Sequence, residues 1–116
     1  MKLKEIAEIL EAQVIDDFGN SDLQINSACS ADMMSAVLYY HSPDSLLITG
    51  LTQPHVIRTA EIAGIKTIVF VLDKKPGADI IEMAREKNIP LLSTALCMYT
   101  ASGRLFQAGM PGCFNK

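Results

Sequence analysis

Two stretches of the chain carry apolar residues without polar alternation, Leu46-Leu47-Ile48 and Thr67-Ile68-Val69-Phe70-Val71. Strands of that kind occur where helices cover both faces of a sheet, because a strand with one wet face alternates apolar and polar side chains. Between them, Val56, Ile57, Ala60 and Ala63 fall on one side of a helix. Leu46 to Val71 therefore reads as a strand-helix-strand unit with parallel pairing, and the rest of the chain is organised around it.

The flanks extend the pattern. Leu3, Ile6, Ala7 and Leu10 predict a short helix over Leu3 to Glu11, and Gln13 to Ile15 a short strand before the turn-rich segment Asp16 to Asp22. Leu23, Ile25 and Ser27 alternate with Gln24 and Asn26, which predicts a half-exposed strand. Ser30 is placed to cap a helix over Ala31 to Tyr40, with Asp32 as an early acid, and Pro43 breaks it at His41-Ser42. Thr52 is the expected cap of the helix from Gln53, which tolerates Pro54 in its first turn and ends at Gly64. After the loop Asp73 to Gly77, Ile80, Ile81 and Ala84 predict a helix ending at Asn88. A strand over Ile89 to Leu92 follows, then a last helix capped by Ser93 or Thr94 and reaching about Ala108. The expected fold class is α/β, in three layers, with a mainly parallel sheet and helices on both faces. It forms one domain over residues 1–109, with residues 110–116 as a loose tail.

Composition adds an expectation of self-association. The chain is 49% hydrophobic and only 20% charged, below the roughly 25% charge of ordinary soluble domains, and a homodimer is the expected form. Met33 and Met34 are adjacent on one helix, so only one can face the core; with Tyr39, Tyr40, Tyr99 and Phe106 they read as core plus an association face. The net charge of -3 offers no attraction to nucleic acid or anionic membranes. No stretch is long enough to span a bilayer, and Glu5, Glu8 and Glu11 interrupt any signal-like segment, so a cytoplasmic location is expected. Cys29, Cys97 and Cys113 are odd in number and far apart, as suits reduced thiols.

The candidate chemistry sits where the strands end. In an open parallel sheet, ligands lie beyond the carboxyl ends of the strands, and that edge collects Thr49, Gly50, Leu51, Thr52 and Gln53, then Leu72 to Lys75, then Ser93 and Thr94. Free amides at the helix starts there suit a small anionic metabolite or nucleotide. The plainer reading makes the same hydroxyls ordinary caps, with Gly50 merely permitting the turn. The chain has neither a GxxxxGKS/T loop nor a GxGxxG turn, which argues against phosphoryl transfer and for a non-enzymatic protein. Cys29, His41 and His55 lack metal-ligand spacing, so no metal and no cofactor are expected. A Cys29 nucleophile would require His41 as its base; the plainer reading makes Cys29 a core residue, His41 helix-terminal and His55 a surface residue.

Three segments also resemble a known family: Ala31 to Leu38, Leu46 to Glu61, and Ile89 to Thr94. They are similar to stand-alone DRTGG-domain proteins of anaerobic bacteria, a likeness running from about Leu3 to Gly109. That family is similar to the N-terminal domain of HPr kinase/phosphorylase and to the middle domain of some CBS-domain pyrophosphatases and phosphate acetyltransferases. The resemblance implies a regulatory or dimerising α/β module without kinase activity. Stand-alone members are often encoded beside iron-hydrogenase genes, which implies a redox or hydrogenase-related protein as a partner. After Gly50 this chain has Leu51-Thr52 where the family motif has Asp-Arg, and after Val71 it has Leu72-Asp73-Lys74-Lys75 where Thr-Gly-Gly is expected.

Overall fold

The computed structural model describes residues 1–40 and 43–113, with the backbone alone at Tyr40. The elements run α1 (Leu3–Ile9), β1 (Gln13–Asp16), β2 (Ser27–Ser30), α2 (Met34–Tyr40), β3 (Ser45–Thr49), α3 (Pro54–Ala63), β4 (Ile65–Phe70), α4 (Ala78–Lys87), β5 (Leu91–Ser93) and α5 (Met98–Gln107). The five strands form one sheet in the order β1-β5-β4-β3-β2. Strands β2 to β5 pair in parallel, and only β1 runs antiparallel, against β5.

The apolar runs divide their side chains between two cores. Leu47, Ile68, Phe70 and Leu91 point to one face, where Met34 and Val37 of α2, Val56, Ile57, Ala60 and Ala63 of α3, and Ile80 and Ala84 of α4 cover them. Leu46, Ile48, Val69 and Leu92 point to the other, against Leu3 and Ile6 of α1 and Ala101 and Leu105 of α5. The three-layer α/β arrangement expected from the uniform runs is the one observed: burial on both faces removes the need for polar alternation. Each of α2, α3 and α4 joins neighbouring parallel strands and lies on one face, so the sheet from β2 to β5 is wound in a single direction.

Helix ends follow local chemistry in some places and not in others. Gly64 takes the left-handed conformation after α3 (φ 76°) and Asn88 does the same after α4 (φ 57°), each closing its helix through backbone amides. The expected hydroxyl caps are not used. The α3 N-cap is Gln53, without a side-chain bond, and the α5 N-cap is Cys97, likewise without one. Ser30 belongs to β2, where its hydroxyl pairs with that of Ser102 at 2.6 Å, and α2 begins only at Met34.

Two further expectations are corrected. The alternation from Leu23 to Ser27 is not a strand; Ile25 is fully buried, its amide bonded to Met1 O, and β2 starts only at Ser27. The segment after Gly109 is not loose through residue 113. Met110 is buried, Ala28 N donates to Pro111 O, and Cys113 N donates to Ala28 O, which lays this segment along the free edge of β2. Met34 is 8% exposed and Met33 69%, the division that their adjacency requires.

Candidate functional site

Beyond the carboxyl ends of the parallel strands, the residues expected to hold a ligand fall into two groups with different fates. Ser93 and Thr94 end β5, next to the residues that leave β4. Connections here depart to opposite faces, β4 into α4 and β5 into α5, an arrangement that in open α/β sheets leaves a crevice for ligands. In this chain the crevice is closed by its own backbone. Leu72 N donates to Leu96 O and Asp73 N to Thr94 O, both at 2.9 Å, with Leu72 and Asp73 both held at φ 57°. The hydroxyls are committed as well: Ser93 Oγ donates to Lys74 O at 2.9 Å, and buried Thr94 Oγ1 donates to Leu10 O at 2.7 Å. Their work is to join the strand ends and to tie α1 to the sheet.

The second group lies around Gly50, past the end of β3 and beside the end of β2. Asp32, two residues past β2, turns its carboxylate onto the β3 terminus, where Oδ1 accepts from Gly50 N at 2.8 Å and from Thr49 Oγ1 at 2.9 Å. Leu51 N in turn donates to Thr49 Oγ1 at 3.2 Å. The amides expected to be free for an anion are therefore partly taken by a carboxylate of the chain itself. Pro54 contributes no N–H, and Val56 N bonds Gln53 O, which reduces the donor supply of the α3 start further.

Gly50 is itself buried, and two charged side chains approach it. A Cβ built on Gly50 would stand 3.7 Å from Asp32 Oδ1 and 3.7 Å from Lys74 Nζ, so a carboxylate and an ammonium flank the same point. These two side chains are not among the ion pairs within 4.0 Å of the described residues. Together they set a negatively charged hydrogen-bond acceptor and a positively charged donor beside one glycine. Sequence spacing does not reveal Asp32 as a site residue, because its partners lie 17 and 18 residues downstream and meet it only when β2 and β3 pair.

A second concavity has no counterpart in the sequence reading. It is a groove of 370 Å³ between α5 and the β2 edge, bordered by Tyr99, Phe106, Leu105, Met110 and Pro111, with Ser30 and Ser102 also lining it. The remaining candidates stay apart. Cys29 is buried, and burial pushes its thiol well above the ordinary range, which opposes a nucleophilic thiolate. His55 is exposed on the first turn of α3, while His41 lies outside the described residues. Among the described residues, no three His, Cys, Asp or Glu side chains gather as metal ligands. No helix among them is long and apolar enough to cross a membrane.

No curated protein sequence matches the chain. Among solved structures, it is similar to the CBS and DRTGG domains of the regulatory region of Clostridium perfringens pyrophosphatase, a structure complexed with the activator diadenosine tetraphosphate. The TM-score is 0.78 at 19% sequence identity; the match covers 97% of this chain and 49% of that one, so the present chain spans about half its length. The DRTGG domain model matches residues 5–108, taking in the whole sheet and all of α2 to α5. The chain therefore belongs to the DRTGG domain family.

Proposed function

We propose that this chain is a non-enzymatic regulatory module that senses a nucleotide-class ligand at the Gly50 edge and relays occupancy through self-association. One observation carries the reading: the Asp32 carboxylate and the Lys74 ammonium stand on either side of Gly50, within 4 Å of a common point. A simple anion gains little there, because the Gly50 amide is already bonded and the carboxylate repels it. A nucleotide matches both charges. Its phosphate meets Lys74, with Lys75 next in sequence, while its ribose hydroxyls or exocyclic amine donate to the carboxylate, the pairing that an acidic residue makes in dinucleotide-binding folds. Thr49, Leu51, Thr52 and Gln53 form the rim of this site, and Ser93 and Thr94 support it by fixing the strand ends. The pyrophosphatase regulatory region, of the same fold and complexed with a dinucleoside polyphosphate, supports the ligand class.

Self-association is assigned to the α5 side, where Tyr99 is 87% and Phe106 76% exposed beside an apolar groove. Large exposed aromatic side chains next to a concave apolar surface are the composition of an interface core. The test is calorimetric titration with AMP, ATP, diadenosine tetraphosphate and inorganic phosphate, with light scattering in parallel. Saturable binding of a nucleotide but not of phosphate is expected, weakened at least about tenfold by Lys74→Ala, a loss of about 1.4 kcal/mol. Gly50→Val fills the space between the two charges, and its Cβ meets only ordinary contacts, so a folded variant without affinity is expected. Binding untouched by both substitutions overturns the placement, and a chain that binds no nucleotide overturns the reading.

A further inference from the structure

The edge of the sheet at β2 carries a second device, independent of the ligand reading. Ala28 N donates to Pro111 O at 3.0 Å and Cys113 N donates to Ala28 O at 2.9 Å, a parallel bridge that sets Ala28 opposite Gly112. One residue further along both segments, Cys29 falls opposite Cys113. Neighbouring strands lie about 5 Å apart, inside the range of roughly 4.4–6.8 Å that a disulfide spans between Cα atoms. Both side chains turn to the same face of the sheet: Cys29 belongs to the core under α2, α3 and α4, and Cys113 packs against that core.

We propose that Cys29 and Cys113 are a redox-responsive pair, closing to a disulfide that clasps the C-terminal segment onto β2. The oxidant is a hydroperoxide. Cys113 is the partly exposed member and reacts first. Its sulfur gives an electron pair to the terminal peroxide oxygen, the O–O bond breaks, and the departing oxygen leaves as water or alcohol with the thiol proton. The resulting sulfenic acid is then attacked by the sulfur of Cys29; the S–S bond forms, the S–O bond breaks, and water leaves with the Cys29 proton. Two thiols lose two electrons and two protons, and the hydroperoxide accepts them. A dithiol reductant reverses the reaction by exchange. Burial pushes Cys29 strongly up and Cys113 up as well, so thiolate is scarce and the pair stays reduced until exposure to oxidant is sustained.

The clasp has a structural consequence. Met110, Pro111 and Gly112 form one wall of the groove beside α5, and the same segment lines the concavity that Cys29 and Cys113 border. In the reduced protein the wall rests on Met110 burial and a few backbone bonds. In the oxidised protein a covalent bond closes the 29–113 loop and fixes it.

The full chain carrying Cys97→Ser, which removes the exposed third thiol, is treated with hydrogen peroxide and digested without reduction. A linked peptide pair containing Cys29 and Cys113 is expected, two hydrogens lighter than its reduced form, in a protein that remains free of intermolecular disulfides. The oxidised protein should melt about 5–10 °C higher, reversibly with dithiothreitol. Cys113→Ser, at a partly exposed position that tolerates the change, should abolish both the crosslink and the shift. Alkylation of both thiols after sustained peroxide, an intermolecular link at Cys113, or an unchanged melting temperature overturns the proposal.

Discussion

Two ten-residue helices on opposite faces of the sheet, α3 and α5, do unequal work. On one face α3 buries Val56, Ile57, Thr59, Ala60 and Ala63; on the other α5, also of ten residues, buries Ala101 and Leu105 and leaves Tyr99 and Phe106 in solvent. Position explains the difference. Helix α3 joins the interior strands β3 and β4, whereas α5 packs toward the edge strand β2 and leaves a groove there, closed on its far side only by the segment that follows it. The closed face is scaffold. The looser face retains a groove and aromatic side chains that a partner can cover.

The sharpest test of that contrast removes the same side chain from each face. Phe70→Ala empties a fully buried position between α3 and α4, and a loss of about 3–5 kcal/mol in denaturant unfolding is expected. Next in size, Asp32→Ala deprives Thr49 Oγ1 and Gly50 N of their acceptor and should lower stability by about 1–3 kcal/mol by the same measurement. Asp32→Asn retains an acceptor and should recover much of that loss. Gly64→Ala forces a Cβ into a left-handed residue, with Pro43 Cα 3.5 Å away, and should cost about 1 kcal/mol in thermal melts. Phe106→Ala should change unfolding by less than about 0.5 kcal/mol while shifting light scattering toward monomer. Thr52→Ala is the smallest, also within about 0.5 kcal/mol, because its hydroxyl makes no cap bond to α3 where an ordinary cap is worth about 1 kcal/mol.

The same contrast decides what was legible in the sequence. Leu46 to Thr49, Thr67 to Phe70 and the apolar stripe of α3 were readable because burial on both sides leaves a continuous run and helical contact leaves a period. Pro54 and Gly64 were readable because their backbone demands are local. The polar residues of the strand ends were not. Thr94 looks like a cap yet donates to Leu10 O, 84 positions away, and Asp32 looks like a helix-start acid yet serves Gly50. Side chains with such alternatives choose by tertiary neighbour, which no window of sequence contains. Residues 110–113 read as tail for the same reason: their partner, Ala28, is more than eighty positions earlier.

The central claim, a nucleotide-class ligand between Asp32 and Lys74, is tested most directly by titrating diadenosine tetraphosphate into isotope-labelled protein and following every backbone amide by NMR. The account predicts saturable shifts centred on residues 49–53, 32 and 74, abolished in Gly50→Val. Shifts confined to Tyr99, Gly103 and Phe106 along the α5 groove, or none at millimolar ligand, would contradict it.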